Sequence, residues 1–252
     1  MKNKQNYLIV LSFLVTFAVL AFRFGDEKKI RVYLVGDSTM SIKPSSKYPE
    51  TGWGMPFTYF FDQSVVVENR AQNGRSTRSF INEGRWKAVK DSLRRGDYVL
   101  IQFGHNDEVK TKPTYTTEAE FKANLLQYVN ETLEAHSTPI LLTPVARRSF
   151  DTTGKVQETH ERYSQIVRDV ARKKGIALID LDKKSMALLQ QFGVENSKLL
   201  FNKLEPGQNP NYPAGIDDNT HFNELGARRI AELVLQEIRR LEPELAGKIV
   251  KP

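Results

Sequence analysis

Four short stretches of this chain hold side chains able to do chemistry. Gly36-Asp37-Ser38 ends one hydrophobic run, Gly74 follows a second, Gly104-His105-Asn106-Asp107 ends a third, and Asp218 precedes His221 by three residues near the C-terminus. A serine hydroxyl is a weak nucleophile until a neighbouring base takes its proton, and a histidine backed by a carboxylate is such a base. From a turn or a first helical turn, Asp218 can reach the His221 Nδ1–H, fix the tautomer and leave Nε2 free. Without a Cβ, Gly74 lets a backbone N–H approach a bound oxygen closely, and the Asn106 amide offers another N–H donor. Each stretch alone has a plainer reading: Ser38 as a cap, Gly74 as a turn glycine, Asn106 in an Asx turn, Asp218, Thr220 or Asn223 capping the last helix. Together they supply a hydroxyl, two oxyanion donors and a His–Asp base, the inventory for acyl transfer.

The elements that must position them are legible as alternating patterns. Ile30 to Val35, Val65 to Glu68, Tyr98 to Phe103, Pro139 to Leu142 and Ile176 to Leu181 are short runs rich in β-branched residues, apolar at most positions, as strands buried on both faces are. Helical periodicity is clearest over Glu118 to Ala135, Glu158 to Lys174 and Glu224 to Leu241. Strand and helix in alternation predict an α/β fold, a single three-layer α/β/α domain around a five-stranded parallel sheet of flavodoxin-like type. Ligands of such sheets bind beyond the carboxyl ends of the strands, where three of the four stretches fall. Glu195 to Asp218, rich in Pro, Gly and Asn and lacking either period, reads as a long functional loop.

Composition bounds the rest. The chain has 252 residues, 40% of them hydrophobic, enough for one buried core, and no cysteine, so stability cannot come from disulfides. Its net charge is +7, but the basic residues are scattered without a long run, so nucleic acid is not implied. Lys2 and Lys4 precede an apolar stretch from Tyr7 to Phe22, followed by renewed charge, the layout of a secretory signal peptide. Small residues at Val19-Leu20-Ala21 set the expected boundaries: a leader over 1–21 and a catalytic domain over 22–252, secreted or periplasmic. The alternative is an uncleaved N-terminal anchor, for which the apolar stretch is short of the roughly 20 residues a membrane span needs.

The phrases "GDSTM", "GWG", "NGRSTRSF", "LIQFGHND", "TPVARR" and "THFNELGA" resemble those of the SGNH or GDSL hydrolases, and more narrowly the rhamnogalacturonan acetylesterases. The likeness runs from about Ile30 to Leu241. It implies a carboxylic-ester hydrolase that removes acetyl groups from pectin, with no cofactor and no metal. Ser38 would be the nucleophile, His221 its base and Asp218 the orienting acid. The backbone N–H groups of Ser38 and Gly74 and the Asn106 side chain would hold the oxyanion. The glycan itself stays open at this point, with acetylated xylan, a lipid or a thioester as alternatives. Arg147 or Arg148, after the fourth strand, could clamp a galacturonate carboxylate; Trp53 could stack on a sugar or pack beneath the Ser38 turn. His105 has no assigned role, and His136 and His160 read as surface residues. A metal-dependent phosphoesterase is disfavoured because only four histidines are present, with no His-x-His and no Asp-x-His after the first strand. An inactive carbohydrate-binding protein is disfavoured because every catalytic position is filled.

Overall fold

Alternate residues of the first strand, β1 (Ile30–Gly36), enter two different cores: Val32 and Leu34 one, Tyr33 and Val35 the other. That two-residue period recurs along β3 (Tyr98–Gln102) and β4 (Thr138–Leu142), where Leu100, Ile140 and Leu142 face one side and Val99, Ile101 and Leu141 the opposite. The computed structural model describes residues 29–250. With β2 (Val65–Asn69) and β5 (Ala177–Ile179), these strands form one parallel sheet in the order β2-β1-β3-β4-β5. This is the expected five-stranded α/β architecture.

The helices are, in chain order, α1 (Gly54–Phe57), α2 (Thr77–Asn82), α3 (Arg85–Lys90), α4 (Glu118–Glu134), α5 (Glu161–Lys174), α6 (Leu181–Asn196), α7 (Glu224–Leu241) and α8 (Pro243–Ala246). One sheet face is covered by α1, α6, α7 and α8 through Phe57, Leu189, Ile230, Val234 and Leu245. The other is covered by α2 to α5 through Phe80, Trp86, Phe121, Leu125 and Val167. Both faces are therefore sealed, and the open surface lies at the strand ends. Strand order reverses between β1 and β3, so the loops that follow those two strands diverge and leave a crevice at the carboxyl edge.

Local chemistry sets the helix boundaries. Thr117 and Glu120 form a reciprocal capping box at the start of α4, and Asn223 accepts from the Gly226 N–H at the start of α7, the helix the periodicity predicted over the same residues. The pattern over Glu158 to Lys174 begins too early: His160, at φ −141°, is still outside α5. Likewise β5 stops at Ile179, and Leu181 already opens α6.

The segment Glu195 to Asp218 corrects the sequence expectation more substantially. Its ends are regular: Glu195 and Asn196 finish α6, while β6 (Phe201–Leu204) pairs antiparallel with β7 (Ile216–Phe222). Only residues 205–215 form the connecting loop. This hairpin stands apart from the main sheet and was hidden because β7 reads Ile-Asp-Asp-Asn-Thr-His-Phe, with almost no apolar alternation. Among the described residues, no helix is long and apolar enough to cross a membrane. The leader expected over residues 1–21 lies outside them.

Candidate active site

The turn after β1 is built by Asp37. Its Oδ1 accepts from the Thr39 backbone N–H (3.0 Å) and hydroxyl (2.8 Å), and its carbonyl accepts from the N–H groups of Met40 and Ser41. The capping duty that Ser38 could have held thus falls to its neighbour. Gln102, at the end of β3, donates to Thr39 Oγ1 (2.6 Å) and accepts from Trp53 Nε1 (2.8 Å). Trp53 is fully buried and makes this contact from beneath the turn, so of the two roles open to it, stacking on a sugar gives way to packing.

What Ser38 Oγ faces instead is His221. Nε2 of the ring lies 2.9 Å from Ser38 Oγ, and Nδ1 lies 2.7 Å from Asp218 Oδ2. Both His221 and Asp218 sit on β7, not in a helical turn. Their side chains meet across three residues because Asp218 Oδ1 accepts from the backbone N–H groups of Thr220 (2.6 Å) and His221 (3.0 Å), an Asx-type turn. Burial pushes the Asp218 carboxyl up, but the hydrogen bonds from the His221 ring and these backbone groups outweigh it and bring it down to about 2. A carboxylate held ionised in this way keeps Nδ1 protonated and Nε2 a lone-pair acceptor aimed at the hydroxyl.

Gly74 and Asn106 are brought together through Arg75. Gly74 has φ +75°, a conformation that a residue with a Cβ adopts at a cost. Among the described residues, the N–H groups of Ser38 and Gly74 donate to no protein acceptor. The Asn106 amide is buried; its Nδ2 donates to the Arg75 carbonyl (3.1 Å) and its Oδ1 accepts from Lys112 Nζ (2.9 Å). Arg75 in turn donates from Nη1 to the Asn73 carbonyl (2.9 Å), the far end of the peptide unit that carries the Gly74 N–H.

Sequence reasoning missed the buried cation beneath this wall. Lys43 is 2% exposed and pairs with Glu50 (2.7 Å), and it also donates to Asn73 Oδ1 (2.8 Å), which Ser41 Oγ reaches at 2.5 Å. Burial lowers the Lys43 ammonium while Glu50 pulls it back up. No spacing rule announces such a residue, because a long side chain reached its partners through tertiary packing.

The remaining histidines divide differently from expectation. His136 is exposed, at φ +56° in the turn between α4 and β4. His160 is not a surface residue: it is 2% exposed, its Nδ1 meets a Glu108 carboxylate oxygen at 3.0 Å, and its ring packs edge-on against His105 at 4.3 Å. Burial, reinforced by the neighbouring Arg147 guanidinium, pushes the His105 imidazole well below its usual value. Arg147 spans from this pair toward solvent, donating to the His105 carbonyl (3.3 Å) and Glu108 (3.0 Å). Arg148 turns away, bracing Ser197 and Asn219 and so the foot of the hairpin. Asp107 faces inward, accepting from Thr77 N–H and hydroxyl; burial pushes its carboxyl up to about 7 against those bonds.

A doubly covered parallel sheet with a hydroxyl, imidazole and carboxylate in hydrogen-bonded sequence at its carboxyl edge is an α/β-fold arrangement suited to ester hydrolysis. Residues 34–229 match the GDSL-like Lipase/Acylhydrolase family, and the chain belongs to it. Rhamnogalacturonan acetylesterase RhgT of Bacillus subtilis (strain 168) is 41% identical over 226 residues, 89% of this chain and 96% of that protein. The probable rhamnogalacturonan acetylesterase YesY of the same organism is 34% identical, covering 87% of this chain and 97% of the relative. The crystal structure of YxiM from Bacillus subtilis superposes with a TM-score of 0.72 at 28% identity, over 84% of this chain and 56% of that one. The protein is a carboxylic-ester hydrolase, resembling the rhamnogalacturonan acetylesterases.

Proposed function

We propose that this protein removes O-acetyl groups from pectic rhamnogalacturonan through an acetyl-enzyme formed on Ser38. The observation that carries the reading is the unbroken line from Asp218 through His221 to Ser38 Oγ, at 2.7 and 2.9 Å. In this reading Ser38 Oγ attacks the acetyl carbon as its proton passes to His221 Nε2, and the carbonyl oxygen becomes an oxyanion held by the N–H groups of Ser38, Gly74 and Asn106. Collapse breaks the ester bond, and the sugar oxygen leaves with the proton from His221. Water then repeats the sequence: His221 takes its proton, the hydroxide attacks the acetyl carbon, and acetate leaves as Ser38 regains its hydrogen.

Polar surroundings support a glycan over a lipid. Beside Asp218, on the strand face that carries Asp217 and Asn219, lies a cavity of ≈ 840 Å³ that Arg148, Lys198, Lys203 and Gln208 help to line. None of Ser38, Asp218 and His221 lines it, so it is a neighbouring feature of the hairpin and not the centre of the site. Arg147, partly exposed though shared with Glu108, is the cation nearest the fourth strand end for a galacturonate carboxylate. The same reading has residues 1–21 serve as an export signal and residues 22–252 as the catalytic domain, on the strength of Lys2 and Lys4 ahead of the apolar stretch Tyr7 to Phe22.

The test is acetate release from acetylated rhamnogalacturonan, acetylated xylan and a small activated acetate ester, by wild type and Ser38→Ala. Preferential release from the pectic substrate, lost in the variant, is expected. Cleavage of the small ester alone removes the pectin assignment, preference for xylan replaces it, and an active Ser38→Ala removes the nucleophile. Asn106→Ala is expected to retain binding and lose roughly 10²–10³ in kcat, the magnitude for one oxyanion donor.

A further inference from the structure

We propose that Lys112 is a positioning residue for catalysis, locking the Asn106 amide in the one orientation that presents an N–H to the oxyanion. The inference rests on the reading of Asn106 as an oxyanion donor and extends it to a residue outside the crevice. A carboxamide has two ends of nearly equal shape and opposite polarity, so a half-turn of the Asn106 amide would replace a donor with a lone pair. Attraction would become repulsion toward the forming oxyanion. Two contacts decide between the orientations. The Arg75 carbonyl only accepts and takes one Nδ2–H at 3.1 Å; the Lys112 ammonium only donates and meets Oδ1 at 2.9 Å. With both satisfied, the second Nδ2–H is the one donor of the amide left for a ligand.

Asn106 is 3% exposed, so water cannot readily take the place of either partner. Lys112 is well placed to hold its end. Its backbone is fixed by turn hydrogen bonds, from its N–H to the Val109 carbonyl and from the Tyr115 N–H to its own carbonyl, both 3.0 Å. Among the described residues Lys112 pairs with no carboxylate, and Asn106 Oδ1 is the partner of its ammonium. A full positive charge on the amide oxygen also withdraws electron density from the nitrogen, which makes the remaining N–H a stronger donor. The consequence is an oxyanion donor whose strength is set from the solvent side of the loop, six residues away in sequence.

Because Lys112 is exposed, Lys112→Met removes the charge without opening a cavity. The substrate for the test is p-nitrophenyl acetate, which carries no carboxylate for a lysine to bind. Lys112→Met is expected to lower kcat about tenfold with KM unchanged and the protein still folded at the assay temperature, and Lys112→Arg to recover most of the loss. In an Asn106→Ala background, Lys112→Met should cost nothing further, since the amide it orients is gone. The proposal is overturned if Lys112→Met stays within about twofold of wild type while Asn106→Ala is slow, or if it costs the same tenfold in the Asn106→Ala background. Full activity in Asn106→Ala itself would instead remove the underlying role of the amide.

Discussion

Asp218→Asn should lower kcat about 10⁴-fold, the loss seen when an acyl-transfer triad keeps its shape but loses its tautomer. Asparagine fits where Asp218 sits and its Oδ1 can still accept from Thr220 and His221. Facing the ring, however, its NH₂ donates where the carboxylate accepted at 2.7 Å, so Nδ1 becomes the acceptor and the proton moves to Nε2. Nε2 then cannot take the Ser38 proton. His221→Ala should cost at least as much, and the double variant little more than either, because the groups act as a unit. Single-turnover assays on a small acetate ester read this; a loss below tenfold for Asp218→Asn would remove the carboxylate from the mechanism. Stability provides an independent check. A carboxyl lowered to about 2 contributes stability above its unfolded value near 3.9, and that contribution fades as pH falls toward 2. Asp218→Asn should therefore melt below wild type at neutral pH, by at most about 2.5 kcal/mol, with the gap narrowing under acid.

Trp53→Ala is the change expected to do most damage to folding. Its fully buried ring packs edge-on to Phe57 at 5.5 Å in the core between the sheet and α7, and truncation there costs about 3–5 kcal/mol. It also strips Gln102 Oε1 of its donor, for a further cost of about 1–3 kcal/mol. Against a total stability of roughly 5–15 kcal/mol, the variant should be largely unfolded in mild denaturant. Trp53→Phe keeps most of the volume and loses the hydrogen bond, so urea melts should place it between the two. Because Gln102 also holds Thr39, and Thr39 holds Asp37, Trp53→Phe should lose activity at temperatures where it is still folded. Full activity in folded Trp53→Phe would uncouple the tryptophan from the turn.

The same neighbourhood explains why a glycine–tryptophan–glycine motif was informative before its reason was visible. A Cβ on Gly52 would meet the Ser41 carbonyl oxygen at 2.0 Å, and one on Gly54 would meet the Met40 carbonyl oxygen at 2.5 Å. The two glycines let one backbone lie directly on the turn that carries Ser38, with the indole pointing down between them. The strands were legible for a different reason: buried on both faces, they must be apolar at nearly every position, and β-branched runs say so. The β6–β7 hairpin was not legible, since β7 spends its positions on Asp218, His221 and their supports and has little left for a hydrophobic pattern. His160 was misjudged because its burial comes from Glu108 and His105, more than fifty residues away in sequence. Lys43 and Lys112 were invisible on similar grounds: a lysine reads as solvated until the fold shows what its ammonium touches.

Ser38 and His221 are separated by 183 positions yet meet at 2.9 Å, the serine in the turn after the first strand of the sheet and the histidine on the β6–β7 hairpin. A chain that emerges from the ribosome N-terminus first therefore displays its serine throughout synthesis with nothing to deprotonate it. On the proposed mechanism, ester cleavage becomes possible only after β7 has emerged and docked, so the reaction itself would report completion of the fold. On the same mechanism, a partly made chain is chemically silent toward any ester it meets.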